Sequence, residues 1–173
     1  MLPAYGIFHI TVRGVDKCLI FRNRDDYRFL LVLFRRLIAE HQLQVHAYCF
    51  MPNHFHAVVE GPMEAISRAF HRINGIHAQR FNELHERVGH LFQDRFHAKV
   101  VESDEHLTNA CEYVWDNPVR AGLVKTRREW PWSGHILRCG ISRVPAGRQG
   151  RSKRAGARFS PISTKAGRQK SCL

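Results

Sequence analysis

A chain of 173 residues is long enough for one domain of ordinary size with an extension. Its 44% hydrophobic and 24% charged content argues against wholesale disorder. No apolar stretch approaches the roughly 20 residues of a membrane span, and MLPAYGIFHI lacks the basic flank of a secretory signal. The net charge of +12 is unevenly spread: residues 1–137 carry +2, whereas residues 138–173 carry +10 with no acidic residue. Such a tail suits a polyanion, and it equally suits a solvated linker. Five cysteines, an odd number without a C-x-x-C pair, argue against a disulfide framework. They read as small buried hydrophobes in a reducing compartment, so a cytoplasmic location is expected.

The first element is a strand, Tyr5 to Arg13, ended by Gly14. A helix over residues 23–41 follows, with Asn23 as its cap, Asp25 and Asp26 in the first turn, and Phe29, Leu30, Leu33, Phe34, Leu37 and Ile38 at helical spacing. Leu43 to Met51 and His54 to Glu60 are strand-like and separated only by Pro52-Asn53, which predicts an antiparallel hairpin. A long helix is expected from Met63 to about Val88, weakened by Gly75, and a strand from Leu91 to Val101. His71, His77, His85 and His90 fall in or near that helix and read as a solvated face. Ser103 caps a last helix, which Pro118 is expected to stop at Asn117. The order β-α-β-β-α-β-α is the split β-α-β pattern of an α+β, ferredoxin-like domain with an antiparallel sheet, helices on one face, and one additional helix. Residues 138–173 lack the large apolar residues needed for a core and read as a disordered basic tail.

His54 and His56 flank Phe55, so strand alternation puts both imidazoles on one face and Phe55 on the other. Two side chains roughly 6.6 Å apart can converge on one cation. The spacing alone carries little weight, because twelve histidines in 173 residues yield about one such pair by chance. In the last helix, Tyr113 and Asn117 are four apart and share a face, while Leu107, Ala110, Cys111 and Val114 form a separate packing stripe. A tyrosine hydroxyl can attack a phosphodiester when a metal polarises the phosphate, and two imidazoles with one amide oxygen leave positions open for substrate. Two other readings fit these residues. One is a single-strand binding module that uses only basic and aromatic side chains. The other is a metal-dependent hydrolase, with Glu60 on the histidine face as its general base.

Four blocks carry a resemblance: ITVRG (Ile10 to Gly14), YCFMPNHFHAVVE (Tyr48 to Glu60), GHLFQDRFHAK (Gly89 to Lys99) and YVWDNPVRAGLV (Tyr113 to Val124). In this order they resemble the single-tyrosine HUH transposases, in particular the REP-associated tyrosine transposases. The resemblance implies a catalytic domain over residues 1–137 that cleaves and rejoins single-stranded DNA at short hairpins. It assigns His54, His56 and Asn117 as metal ligands and Tyr113 as the nucleophile forming a 5′-phosphotyrosine bond. It implies Mg2+ or Mn2+ as cofactor, hairpin-bearing single-stranded DNA as partner, and, for this branch, a monomer rather than a homodimer. Arg13, Arg95, Lys99 and Arg120 lie in the matched blocks and are expected to contact phosphates. Trp115, Trp130 and Trp132 are expected to pack against the sheet rather than stack on bases.

Overall fold

Nine residues of alternating character form β1 (Tyr5–Arg13), with Phe8, Ile10 and Val12 buried on one side and His9, Thr11 and Arg13 on the other. The computed structural model describes residues 2–136; the basic tail expected over 138–173 lies outside them. After β1 come α1 (Arg24–Glu40), β2 (Gln44–Met51), β3 (His54–Pro62), α2 (Met63–Leu84), β4 (His97–Val101), α3 (Asp104–Arg120) and β5 (Ser133–Ile136). The strands form one sheet in the order β4-β1-β3-β2-β5, every neighbour antiparallel. The first four strands in this order are the split β-α-β arrangement expected from the sequence.

Why α1 begins where it does is visible in its cap. The Asn23 side chain accepts from the backbone N–H groups of Asp25 and Asp26, and the Asp26 carboxylate accepts from that of Asn23. The two faces of the sheet bury different cores. Phe8, Ile10, Phe50, Phe55, Ala57 and Val59 meet α1 and α2 through Leu30, Phe34, Leu37, Ile66, Phe70 and Ile73. The opposite face is narrower: Ala47, Cys49, Met51 and Val58 meet Ala110, Cys111 and Val114 of α3. The small residues on both sides of this seam let α3 lie close to the strands.

Several boundaries differ from those expected. The strand predicted over 91–101 is confined to β4, because residues 91–96 form a loop clamped to β1. In it Leu91 accepts from Val15 N–H, and Gln93 donates to the Arg13 carbonyl. The long helix ends at Leu84 rather than Val88 and runs through Gly75 without interruption. α3 does not stop at Asn117; it passes Pro118 and ends at Arg120. Proline removes from the helical ladder the N–H that would reach the Val114 carbonyl and crowds the preceding turn, yet the helix continues; one turn earlier, Asn117 Nδ2 donates to the Tyr113 carbonyl at 2.9 Å. The real stop is Gly122, whose φ of 68° places it in the left-handed region. Its N–H bonds the Val119 carbonyl and that of Leu123 bonds the Pro118 carbonyl, a Schellman closure. β5, an edge strand beside β2, was not expected; Ser133-Gly134-His135-Ile136 is short and has one large apolar residue.

Gly75 is a clean site for strengthening the fold. A Cβ placed there meets nothing within 4 Å, and the residue is exposed in a helix interior. Gly75→Ala is expected to stabilise the protein by about 0.5–1 kcal/mol, read as a raised midpoint in urea unfolding.

Candidate active site

β3 presents His54 and His56 to the α3 side of the sheet, whereas Phe55 is fully buried on the other side. The two imidazole centroids are 4.9 Å apart and nearly perpendicular, at 89°. His56 is 6% exposed and pairs across the ladder with Thr11 of β1. Its Nδ1 lies 3.0 Å from His9 Nε2 and 3.1 Å from Thr11 Oγ1. His54 Nδ1 lies 2.6 Å from Asn53 Oδ1. With each Nδ1 engaged, Nε2 is the nitrogen left for a ligand on both rings.

Burial pushes the His56 imidazole down to about 3, helped by the neighbouring His54 and His9, and His54 to about 4, helped by Arg13. Both rings are therefore neutral at pH 7, the form that ligates metals. Among the described residues, no group of three or more His, Cys, Asp or Glu side chains is gathered to hold a metal. Two neutral imidazoles side by side are donors that suit a divalent ion with further positions open to oxygen ligands.

Tyr113 arrives from α3. Its ring lies 5.8 Å from His56 and 5.8 Å from His9, edge-on to both, and the Arg120 guanidinium sits 5.2 Å over its face. It is 41% exposed, and its hydroxyl makes no hydrogen bond among the described residues. Asn117 follows one turn along, with Nδ2 held by the Tyr113 carbonyl and Oδ1 left as an acceptor. A groove of about 750 Å³ opens between α3 and the β1–β4 edge, lined by Tyr113, His56, His9, Arg13, Lys99 and His106 among others. Arg13, Lys99 and Arg120 thus gather around Tyr113. Arg95 does not line this groove; it is exposed just before β4, where its carbonyl accepts from Asn74 Nδ2 at 2.6 Å.

Sequence reasoning missed His9 and Asn53. The alternation of β1 contained the signal for His9, because it places His9, Thr11 and Arg13 on one face, and antiparallel pairing then sets Thr11 against His56. Glu60 is elsewhere: Val58 intervenes on the strand, and its carboxylate accepts from Tyr5 at 3.1 Å and lies 2.8 Å from His46 Nε2. The tryptophans pack as expected. Trp115 donates to the Gly134 carbonyl, Trp130 to that of Phe50, and Trp132 stacks on Tyr27 at 4.9 Å.

The family described as "Transposase IS200 like" matches residues 6–117, a span that includes both histidines, Tyr113 and Asn117. The chain belongs to the IS200-like transposase family. A REP-associated tyrosine transposase of Haemophilus influenzae (strain Rd) is 23% identical over 111 residues, covering 58% of this chain and 63% of that relative. The chain's match thus spans less than two thirds of that relative's length. A solved structure of a REP-associated tyrosine transposase bound to a REP hairpin superposes with a TM-score of 0.59 at 21% identity, over 77% of this chain and 80% of that one. It shows that the IS200-like transposase fold is shared.

His77 corrects the expectation of a solvated histidine face along α2. It is 1% exposed, ringed by Phe21, Phe29, Phe81 and Phe92, and its Nε2 lies 2.8 Å from the Ile20 carbonyl. Burial lowers it to about 4. His77, His56 and His54 are all easier to protonate in the unfolded chain, near 6.5, than in the fold. Their contribution to stability is therefore complete above pH 6.5 and is lost as pH falls toward 4 and 3. The resistance of the metal-free IS200-like protein to urea is expected to fall progressively as pH drops from 6.5 to 4. Each deeply buried imidazole adds up to about 1.4 kcal/mol per pH unit. His77→Gln, which retains a donor for Ile20, is expected to flatten that dependence.

Proposed function

We propose that this protein is a metal-dependent transposase that cleaves and rejoins single-stranded DNA at hairpin-associated, REP-like sites. The observation that carries the reading is the Tyr113 ring 5.8 Å from His56 at the rim of a basic groove, in a member of the IS200-like family. Tyr113 Oη attacks the scissile phosphorus; the P–O3′ bond breaks, the 3′ oxygen leaves as a hydroxyl with the phenolic proton, and a 5′-phosphotyrosine remains. Rejoining is the reverse displacement by a 3′-hydroxyl, which conserves the phosphodiester energy and needs no nucleotide cofactor. His54, His56 and Asn117 hold Mg2+ or Mn2+, and when bound the ion supplies Lewis-acid polarisation of the phosphate. Arg13 and Lys99 hold the strand by its phosphates, and Arg120 braces the Tyr113 ring from its face.

No described helix is long and apolar enough to cross a membrane. Cys18, Cys49 and Cys111 are buried. A monomer acting in the cytoplasm is part of this proposal. The deciding experiment is incubation with hairpin-bearing single strands and Mn2+, followed by denaturing electrophoresis. A protein–DNA adduct supports the transposase reading. Binding without an adduct would make the protein a single-strand binding module, and cleavage without an adduct would make it a hydrolase.

A further inference from the structure

Asn53 forms part of the β2–β3 turn and precedes the first candidate metal ligand. Its side chain makes two contacts of opposite character. Nδ2 donates to the Lys17 carbonyl at 3.2 Å, and Oδ1 lies 2.6 Å from His54 Nδ1. A backbone carbonyl can only accept, so the Lys17 contact requires the amide nitrogen on that side and turns the amide oxygen toward His54. An amide oxygen also only accepts, so the proton of the 2.6 Å contact belongs to His54 Nδ1. In a neutral imidazole the lone pair is then on Nε2.

We propose that Asn53 is a positioning residue that locks His54 in the Nδ1–H tautomer and keeps Nε2 available to a divalent cation. The proposal rests on the reading of His54 as a metal ligand. The segment that supplies the Lys17 carbonyl has an uncommon backbone. Asp16 and Lys17 both adopt left-handed backbone, with φ of 49° and 59°, which is uncommon for residues other than glycine. The same segment is laced to the turn through its backbone: Gly14 N–H donates to the Asn53 carbonyl at 2.9 Å, and Ile20 N–H to the Pro52 carbonyl at 2.9 Å. His56 has a separate support in His9 and Thr11, so a change at Asn53 acts on one imidazole and spares the other.

The test uses the full chain, metal-free and labelled with 15N-histidine, and reads each tautomer from long-range 1H–15N spectra. In the wild type, His54 is expected to carry its proton on Nδ1, and added Mn2+ to broaden the signals of His54 and His56. Asn53→Ala is expected to move His54 toward the Nε2–H form that free imidazole favours and to weaken Mn2+ binding about 10- to 100-fold. His56 should keep its tautomer. Asn53→Asp retains an acceptor and is expected to restore the Nδ1–H form and most of the affinity. An Nε2–H His54 in the wild type overturns the proposal, and that spectrum needs no variant to fold. Unchanged tautomer and Mn2+ affinity in Asn53→Ala overturn it as well. If His54 is locked as described but Mn2+ leaves both histidines sharp, the metal-ligand reading fails while the tautomer assignment stands.

Discussion

Tyr113→Phe is expected to lower adduct formation with hairpin-bearing single strands by at least about 10³-fold, because the variant has no atom that can form the phosphotyrosine bond. Few substitutions here separate chemistry from structure so well. The ring remains, and with it the edge contacts to His9 and His56 and the Arg120 guanidinium over its face. Only the hydroxyl is lost, and among the described residues it holds no hydrogen bond in the folded protein. The thermal midpoint should therefore be unchanged, and hairpin affinity, measured by fluorescence anisotropy, should stay within a few-fold. An adduct that persists in Tyr113→Phe would assign the nucleophile to another side chain.

His56→Ala is expected to reduce cleavage at least about 10²-fold, the scale of a Lewis-acid contribution of several kcal/mol. Chelation of the wild type with EDTA should have the same effect, and excess Mn2+ should rescue the chelated wild type but not the variant. Truncating a 6%-exposed side chain also leaves a cavity and strands its partners His9 and Thr11, so some stability is lost as well. Circular dichroism of the variant at the assay temperature separates the two effects. Cleavage that survives both the substitution and the chelator would show that the imidazole pair takes no part in the reaction.

The fold was legible where period and punctuation agree. Asn23 with its two following acids, the Pro52-Asn53 turn, and the apolar spacing of Leu30, Phe34 and Leu37 each describe a local structure that tertiary packing also favours. Pro118 misled because a local rule was opposed by a stronger neighbour: Gly122, in left-handed backbone, closes the helix with a Schellman pair of hydrogen bonds. β5 was illegible because its four residues are ordered by β2 and by the Trp115 bond to Gly134, not by their own composition. Within the site, His54 and His56 were visible as a pair but statistically weak. What raises them is the arrival of Tyr113, a tertiary fact carried by a seam of small residues between α3 and β2. His9 was hidden for a similar reason, since its role depends on which strand pairs with β3.

That seam also sets an order of events during synthesis. Tyr113 is translated 57 residues after His56 and comes beside it only where α3 packs on the strands. A chain that ends after β4 holds His54 and His56 without Tyr113 beside them. The Tyr113–His56 contact thus depends on the docking of α3, the last α-helix of the described residues, against β2 and β3.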